Sequence, residues 1–305
     1  HRRSSAASDV YKRQDNDSSG LNVSTSSYAV SENASQNATL TLTLNSMPYG
    51  DVTVNLNTDN LTYGGYASPD RLVFGPDNWS QSATAIVRAT DDFVDDGDDN
   101  GTDNTSFVIT LDNTSSTASG DEKYNIGNVT LTGSLSENVT LYALDNDTIG
   151  VRLTVLDNFT RESDNSNTGN FTVALLSQPW PGESVTVNLQ GINQSNSEKN
   201  KDLGVQLQDN DSGPQTSFIT LTFDNSSWNT AQTVTVFPVN DLVDEGLLGV
   251  DNQTWNIGVL SIESTLDSSK YYDKTELTAY GGTTDNASIL VEDNDTRGLI
   301  ITLRG

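Results

Sequence analysis

The tetrad Asp-Asn-Asp-Ser/Thr marks this chain at residues 15–18, 145–148 and 293–296, and the segments between these marks match element by element. Gly50-Asp-Val-Thr-Val-Asn-Leu56 pairs with Gly182-Glu-Ser-Val-Thr-Val-Asn-Leu189, which is one residue longer. Arg71-Leu-Val-Phe74, followed by Trp79, pairs with Ile219-Thr-Leu-Thr-Phe223, followed by Trp228. Ala89-Thr-Asp-Asp-Phe-Val-Asp-Asp-Gly97 pairs with Pro238-Val-Asn-Asp-Leu-Val-Asp-Glu-Gly246, and a Lys-Tyr step follows in each, at Lys123 and Lys270. A long period of this kind dictates a tandem array of similar units. One repeat is expected over residues 18–147 and a second over 148–295. Residues 15–17 then end a preceding repeat, and 296–305 supply the first strand of a further one. Residues 1–14 (HRRSSAASDVYKRQ) are basic, hold the sole His and share nothing with the pattern, so they are set aside as non-native.

Within each repeat the hydrophobic period is two. Ala38, Leu40, Leu42 and Leu44 alternate with Thr, and Val52, Val54 and Leu56 do the same, as do Val185, Val187 and Leu189, and Ile219, Leu221 and Phe223. Alternation places successive side chains on opposite faces of a strand, one buried and one wet. Gly, Asn, Asp, Ser and Pro clusters separate the runs, and no amphipathic helical stretch of useful length appears. The expected fold is all-β: tandem Ig-like antiparallel β-sandwich domains with about seven strands per repeat. Trp79 and Trp228 are expected to seal matching corners of the two cores rather than to stack on sugars. Trp180, between two prolines, is expected at a hairpin tip.

Charge narrows the function. The 305 residues hold 42 acidic and 15 basic side chains, a net charge of −27. No nucleic-acid surface is expected, because phosphate contacts need clustered Lys and Arg. There is no Cys and the only His is His1, so the usual nucleophile, base and zinc-ligand residues are nearly missing, and no enzyme is expected. A glycosidase working through a carboxylate pair is the enzyme alternative. Its acids, however, recur in both repeats at loop positions, which suits a metal better. No apolar run is long enough to insert in a membrane.

The acids recur in register. Each repeat has a Glu after its first strand (Glu32; Glu162). Each has a mid-repeat cluster (Asp91, Asp92, Asp95, Asp96; Asp241, Asp244, Glu245). Each also has a closing pair (Asp145, Asp147; Asp293, Asp295). Calcium takes six to eight oxygens in irregular geometry, and such converging carboxylates would repel one another without a cation. The stretch Asp96-Gly-Asp98-Asp-Asn100-Gly101 matches the first half of an EF-hand loop. Its twelfth position is Phe107, and no helices flank it, so an EF-hand is rejected.

Four features together resemble the Calx-beta family, the calcium-binding sandwich of sodium–calcium exchangers and of long surface proteins. These are Ser31-Glu32-Asn33, the strand over 52–56, Thr90-Asp-Asp-Phe-Val-Asp-Asp96, and the closing Thr140-Leu-Tyr-Ala-Leu-Asp-Asn-Asp147. The resemblance implies calcium ligation by Glu32, Asp91, Asp92, Asp95, Asp96, Asp145 and Asp147. In the second repeat it implies Glu162, Asp241, Asp244, Glu245, Asp293 and Asp295. Asn240 replaces the first acid of the mid-repeat pair, and Asn stands at the centre of both terminal runs. Fewer charges imply weaker binding and a structural use.

Twenty Asn-X-Ser/Thr triplets occur, against roughly eight expected by chance, which points to glycan acceptors on an exposed protein. Candidates include Asn22, Asn33, Asn60, Asn78, Asn104, Asn158, Asn193, Asn225 and Asn286. The expected role is a structural or adhesive segment of a secreted or cell-surface protein, a rod of calcium-stabilised sandwiches whose partners are neighbouring repeats and cell-surface or matrix glycans. The alternative is an extracellular filament subunit, in which the strand over 298–303 completes another copy's sheet.

Overall fold

Threonine alternating with small or branched apolar residues builds the strands, since both suit a pleated, half-buried surface. The computed structural model describes residues 17–96, 104–117, 122–125, 131–133, 137–163, 166–193, 205–209, 214–240, 252–266, 283–284, 286–295 and 298. Residues 1–14, Asp241, Asp244, Glu245, the Lys270-Tyr271 step, the EF-hand-like loop beyond Asp96 and all of the terminal strand but Gly298 lie outside that set.

In the first unit the strands are β1 (Leu21–Thr25), β2 (Ala29–Ser31), β3 (Ala38–Leu44), β4 (Val52–Thr58), β5 (Gly65–Ser68), β6 (Arg71–Phe74), β7 (Ala83–Ala89), β8 (Asn104–Ser116), β9 (Leu131–Gly133) and β10 (Asn138–Leu144). They form two five-stranded sheets, β5-β7-β3-β1-β9 and β2-β10-β8-β4-β6. In the second unit they are β11 (Gly150–Asp157), β12 (Phe159–Arg161), β13 (Gly169–Leu175), β14 (Ser184–Asn193), β15 (Val205–Asp209), β16 (Phe218–Asp224), β17 (Gln232–Pro238), β18 (Asn252–Ser264), β19 (Thr283–Thr284) and β20 (Asn286–Glu292). Their sheets are β15-β17-β13-β11-β19 and β12-β20-β18-β14-β16, the same order with every label advanced by ten. Each unit is an Ig-like sandwich, and the internal repeat is a repeat of topology.

Ten strands per unit, among the described residues, exceed the seven expected. The first strand is split: β1 lies in one sheet, and three residues later β2 joins the other. There β2 pairs in parallel with β10, as β12 does with β20. β6 is the strand expected ahead of Trp79, while β5 and β9, four and three residues long, are too short for the alternation to show. The sheets are otherwise antiparallel, apart from parallel β1–β9 and β11–β19.

Each unit has one core between its sheets. The first is built from Leu40, Leu42, Val52, Val54, Phe74, Phe107, Ile109 and Leu141 with their neighbours, and Trp79 is packed against it. The second is built from Phe171, Val185, Val187, Phe223, Trp255, Ile257 and Ile289 with theirs, and Trp228 is packed against it. The tryptophan corners are as expected. The Trp79 carbonyl accepts from Leu44 N–H at 3.2 Å, and the Trp228 carbonyl from Leu175 N–H at 2.9 Å. Tyr124, in a 3-10 turn, is 3% exposed and donates its hydroxyl to the Ser46 carbonyl at 2.7 Å.

Phe107 explains a glycine pair that the strand pattern leaves unassigned. A Cβ on Gly64 would lie 2.6 Å from Phe107 Cβ, and one on Gly65 would lie 2.4 Å from the Arg88 carbonyl and 2.7 Å from Phe107 Cζ. The backbone there touches the ring directly. Gly65→Ala must displace a strand carbonyl, and it is expected to cost about 1–3 kcal/mol. Chemical denaturation is the check, and unchanged stability would show that the contact is loose.

Candidate metal centre

The second unit brings three of the expected ligands together. Glu162 directly follows β12, and Asp293 and Asp295 directly follow β20. Because β12 and β20 run in parallel, both chain segments leave the sheet at the same end. Glu162 N–H donates to the Glu292 carbonyl at 3.0 Å, which holds the two segments in register. Asp295 N–H donates to Asp293 Oδ1 at 2.7 Å, an Asx turn that folds the Asp-Asn-Asp run back on itself. One carboxylate oxygen from each of Glu162, Asp293 and Asp295 then lies within 4.8 Å of the other two. Glu162 is 1% exposed and Asp293 5%.

Three carboxylates at that spacing repel by about 3–4 kcal/mol per pair at the effective dielectric of partly buried sites. Taking two of them out of water adds a desolvation cost. All the donors are hard oxygens on short turns, a set that fits calcium and does not fit a metal preferring sulfur or imidazole. Arg161 is on the outward face of β12, where its Nε donates to Glu292 Oε2 at 2.6 Å. That pair is substantially exposed and contributes little to stability.

The first repeat shows the same local devices. Glu32 directly follows β2, is buried, and donates its N–H to the Leu144 carbonyl at 3.1 Å. Asp147 N–H donates to Asp145 Oδ1 at 2.6 Å. The expected ligands, however, do not all belong to one compact unit. The first unit comprises His1–Asp92 and Asn104–Leu144, and the second comprises Phe93–Asp103 and Asp145–Gly305. Glu32, Asp91 (exposed) and Asp92 (half-buried) therefore fall in the first, and Asp95, Asp96, Asp145 and Asp147 in the second. Two of these acids hold backbone. Buried Asp95 accepts from Ile149 N–H at 2.9 Å, and Asp145 Oδ2 accepts from Asp96 N–H at 2.8 Å.

One acid was missed in the sequence. Glu183 is 2% exposed and closes the turn before β14. Its Oε2 accepts from Trp180 N–H at 2.8 Å, and its Oε1 from Ser264 Oγ at 2.6 Å. Trp180 is accordingly half-buried in a tied-down turn, not displayed at an open tip. The Gly-Glu-Ser run matching Gly50-Asp-Val was the available signal. Asp224 orders the Trp228 corner in a similar way. Its Oδ1 accepts from the hydroxyls of Ser226 and Ser227 at 2.8 Å and from both of their N–H groups at 2.9 Å. Those bonds, the Ser226 hydroxyl first, lower its pKa from 3.8 to about 2. The folded value lies below the unfolded one, so this turn's support is complete above about pH 4 and is lost as pH falls from there through about 2. An NMR titration of Asp224 is expected to give a pKa near 2. Ser226→Ala with Ser227→Ala is expected to return it toward 3.8, and no shift on that change would contradict the assignment.

The acceptor asparagines differ in access. Asn22, Asn33, Asn78, Asn158 and Asn286 are exposed, while Asn60, Asn104 and Asn225 are half-buried. The side chain of Asn193 is outside the described set. At Asn225 the Nδ2, the atom a glycan would occupy, donates to the Pro179 carbonyl at 2.9 Å.

No helix among the described residues is long and apolar enough to cross a membrane. No protein-family model matches the chain, and no curated protein matches it. Among solved structures the chain is similar to CBD12 from CALX1.2, with 14% identity over 89% of this chain and 99% of that one, at a TM-score of 0.29. It is similar to the D0-D1 domain of Intimin, with 10% identity over 88% and 96%, at 0.22. A third is the Enterococcus faecalis MSCRAMM ACE, with 7% identity over 90% and 94%, at 0.21. At these scores the likeness carries no argument, and the assignment of an all-β Ig-like sandwich stands on the strand pairings.

Proposed function

We propose that this chain is a structural or adhesive segment of a secreted or cell-surface protein, whose sandwich ends are stiffened by calcium. The observation that carries the reading is the convergence of Glu162, Asp293 and Asp295 at the common end of β12 and β20, with two of the three carboxylates withdrawn from water. Calcium there would neutralise the repulsion and tie the entry of the first sheet crossing to the exit of the last strand. The duplicated topology, the outward-facing acceptor asparagines and the strongly acidic surface agree with an exposed array. Adhesion, in this reading, uses the exposed faces of the units toward matrix or cell-surface glycans.

Hydrogen exchange tests the local role. Calcium is expected to slow exchange at Glu162 and Asp295 N–H by at least about tenfold, while the centres of β14 and β18 stay unchanged. Equal exchange at both sites with and without calcium would remove the metal from the account and leave the scaffold reading alone.

A further inference from the structure

Residues 93–96 belong by sequence to the first repeat, yet they pack within the second unit. The Phe93 ring sits 5.7 Å from the Trp228 ring, centroid to centroid. The Phe93 carbonyl accepts from Gln178 N–H at 2.6 Å, and Asp95 Oδ2 accepts from Ile149 N–H. An aromatic residue, a backbone carbonyl and a carboxylate thus meet a tryptophan corner and two loop N–H groups.

The first unit has the same receiving surface. Leu44 N–H to the Trp79 carbonyl matches Leu175 N–H to the Trp228 carbonyl, and Asn45 N–H to the Gly20 carbonyl matches Leu176 N–H to the Gly150 carbonyl. Those bonds fix the equivalences, so Met47 stands where Gln178 stands, Ser19 where Ile149 stands, and Trp79 where Trp228 stands. What differs is cover. Met47 is 61% exposed and Tyr49 77%, two large apolar side chains beside a tryptophan corner, whereas Gln178 and Trp180 in the second unit are half-buried. Exposed apolar side chains at matching positions of a receiving surface are what an unfilled copy of that surface would show.

We propose that the face formed by Trp79, Met47 and Tyr49 is the docking site for the Asp-Phe-Val-Asp segment of another repeat of this same kind, joined ahead of it in an array. The occupant is named by the site already filled in the second unit. Its sequence recurs in the chain, at residues 92–95 and, with Leu for Phe, at 241–244. The proposal rests on the tandem-repeat reading and is independent of calcium.

The test uses Met47, the chain's sole methionine. A protein carrying an additional copy of residues 18–147 ahead of residue 18 holds two such methionines, of which only the second follows a donor segment. Peroxide oxidation, run both in calcium and in EGTA, is expected to be biphasic. Half of the methionine should react at the rate of the original chain and half at least about threefold more slowly. Phe93→Ala in the leading copy should return everything to the fast rate. Far-UV circular dichroism and the melting profile should be unchanged by that substitution, which separates lost docking from lost folding. A single fast phase in a folded protein overturns the proposal. Biphasic oxidation in calcium that becomes single-phase in EGTA, with folding intact, overturns its independence from the metal.

Discussion

Chelating calcium with EGTA is expected to lower the melting temperature of the second unit by about 5–10 °C. A ligand present at about a hundred times its dissociation constant stabilises the folded state by about 2.7 kcal/mol. In a unit of roughly 150 residues each kcal/mol shifts the midpoint by about 2–4 °C. Glu162→Gln removes one buried carboxylate charge from the cluster. It should raise the calcium concentration needed for half the shift by at least about tenfold. In EGTA the same substitution should leave the protein as stable as the original chain or more so, because it relieves repulsion among three close carboxylates. That reversal of sign with calcium separates a metal ligand from an ordinary buried polar residue, whose loss destabilises under both conditions.

Phe107→Ala is expected to have the larger effect, about 3–5 kcal/mol in the first unit, by loss of a fully buried ring and the cavity it leaves. The site cannot collapse readily, because Gly64 and Gly65 present backbone rather than side chains to the ring. Calorimetry should show the first unit's transition fall by roughly 10 °C, with the second unit's transition unmoved. A loss below about 1 kcal/mol would mean that the surrounding strands close over the space. In the second unit Trp255 stands where Phe107 stands, and the glycine near it is in β14 instead: a Cβ on Gly191 would lie 2.6 Å from Val205 Cγ2 and 3.7 Å from Trp255 Cε3.

The duplication was legible because the turns and the tryptophan corners recur with the same spacing, and strands such as β3 and β4 because Thr and apolar residues alternate without a break. The Glu162, Asp293 and Asp295 grouping was legible as a recurrence of acids. Its closeness in space depends on the parallel pairing of β12 with β20, which no local pattern encodes. The split of the first strand was hidden for a related reason: residues 26–28 look like any polar turn, and only the partner β10 shows that the chain has changed sheets. Glu183 looked like a generic surface acid until Ser264, distant in sequence, closed on it. The membership of residues 93–96 was the least legible feature. A repeat period says where a segment belongs by descent, while its packing is decided by Trp228, Gln178 and Ile149, all in the following repeat. The role of Phe107 escaped the sequence because Tyr-Gly-Gly-Tyr reads as a flexible turn, and the glycines are there for close approach instead.

The most direct measurement is a calcium-binding isotherm read alongside native mass spectrometry, on the original chain and on Glu162→Gln with Asp293→Asn. The account predicts that the double variant, folded and with unaltered strand content, binds one calcium fewer per chain than the original. Equal stoichiometry in the two proteins, or no calcium on either, would contradict it.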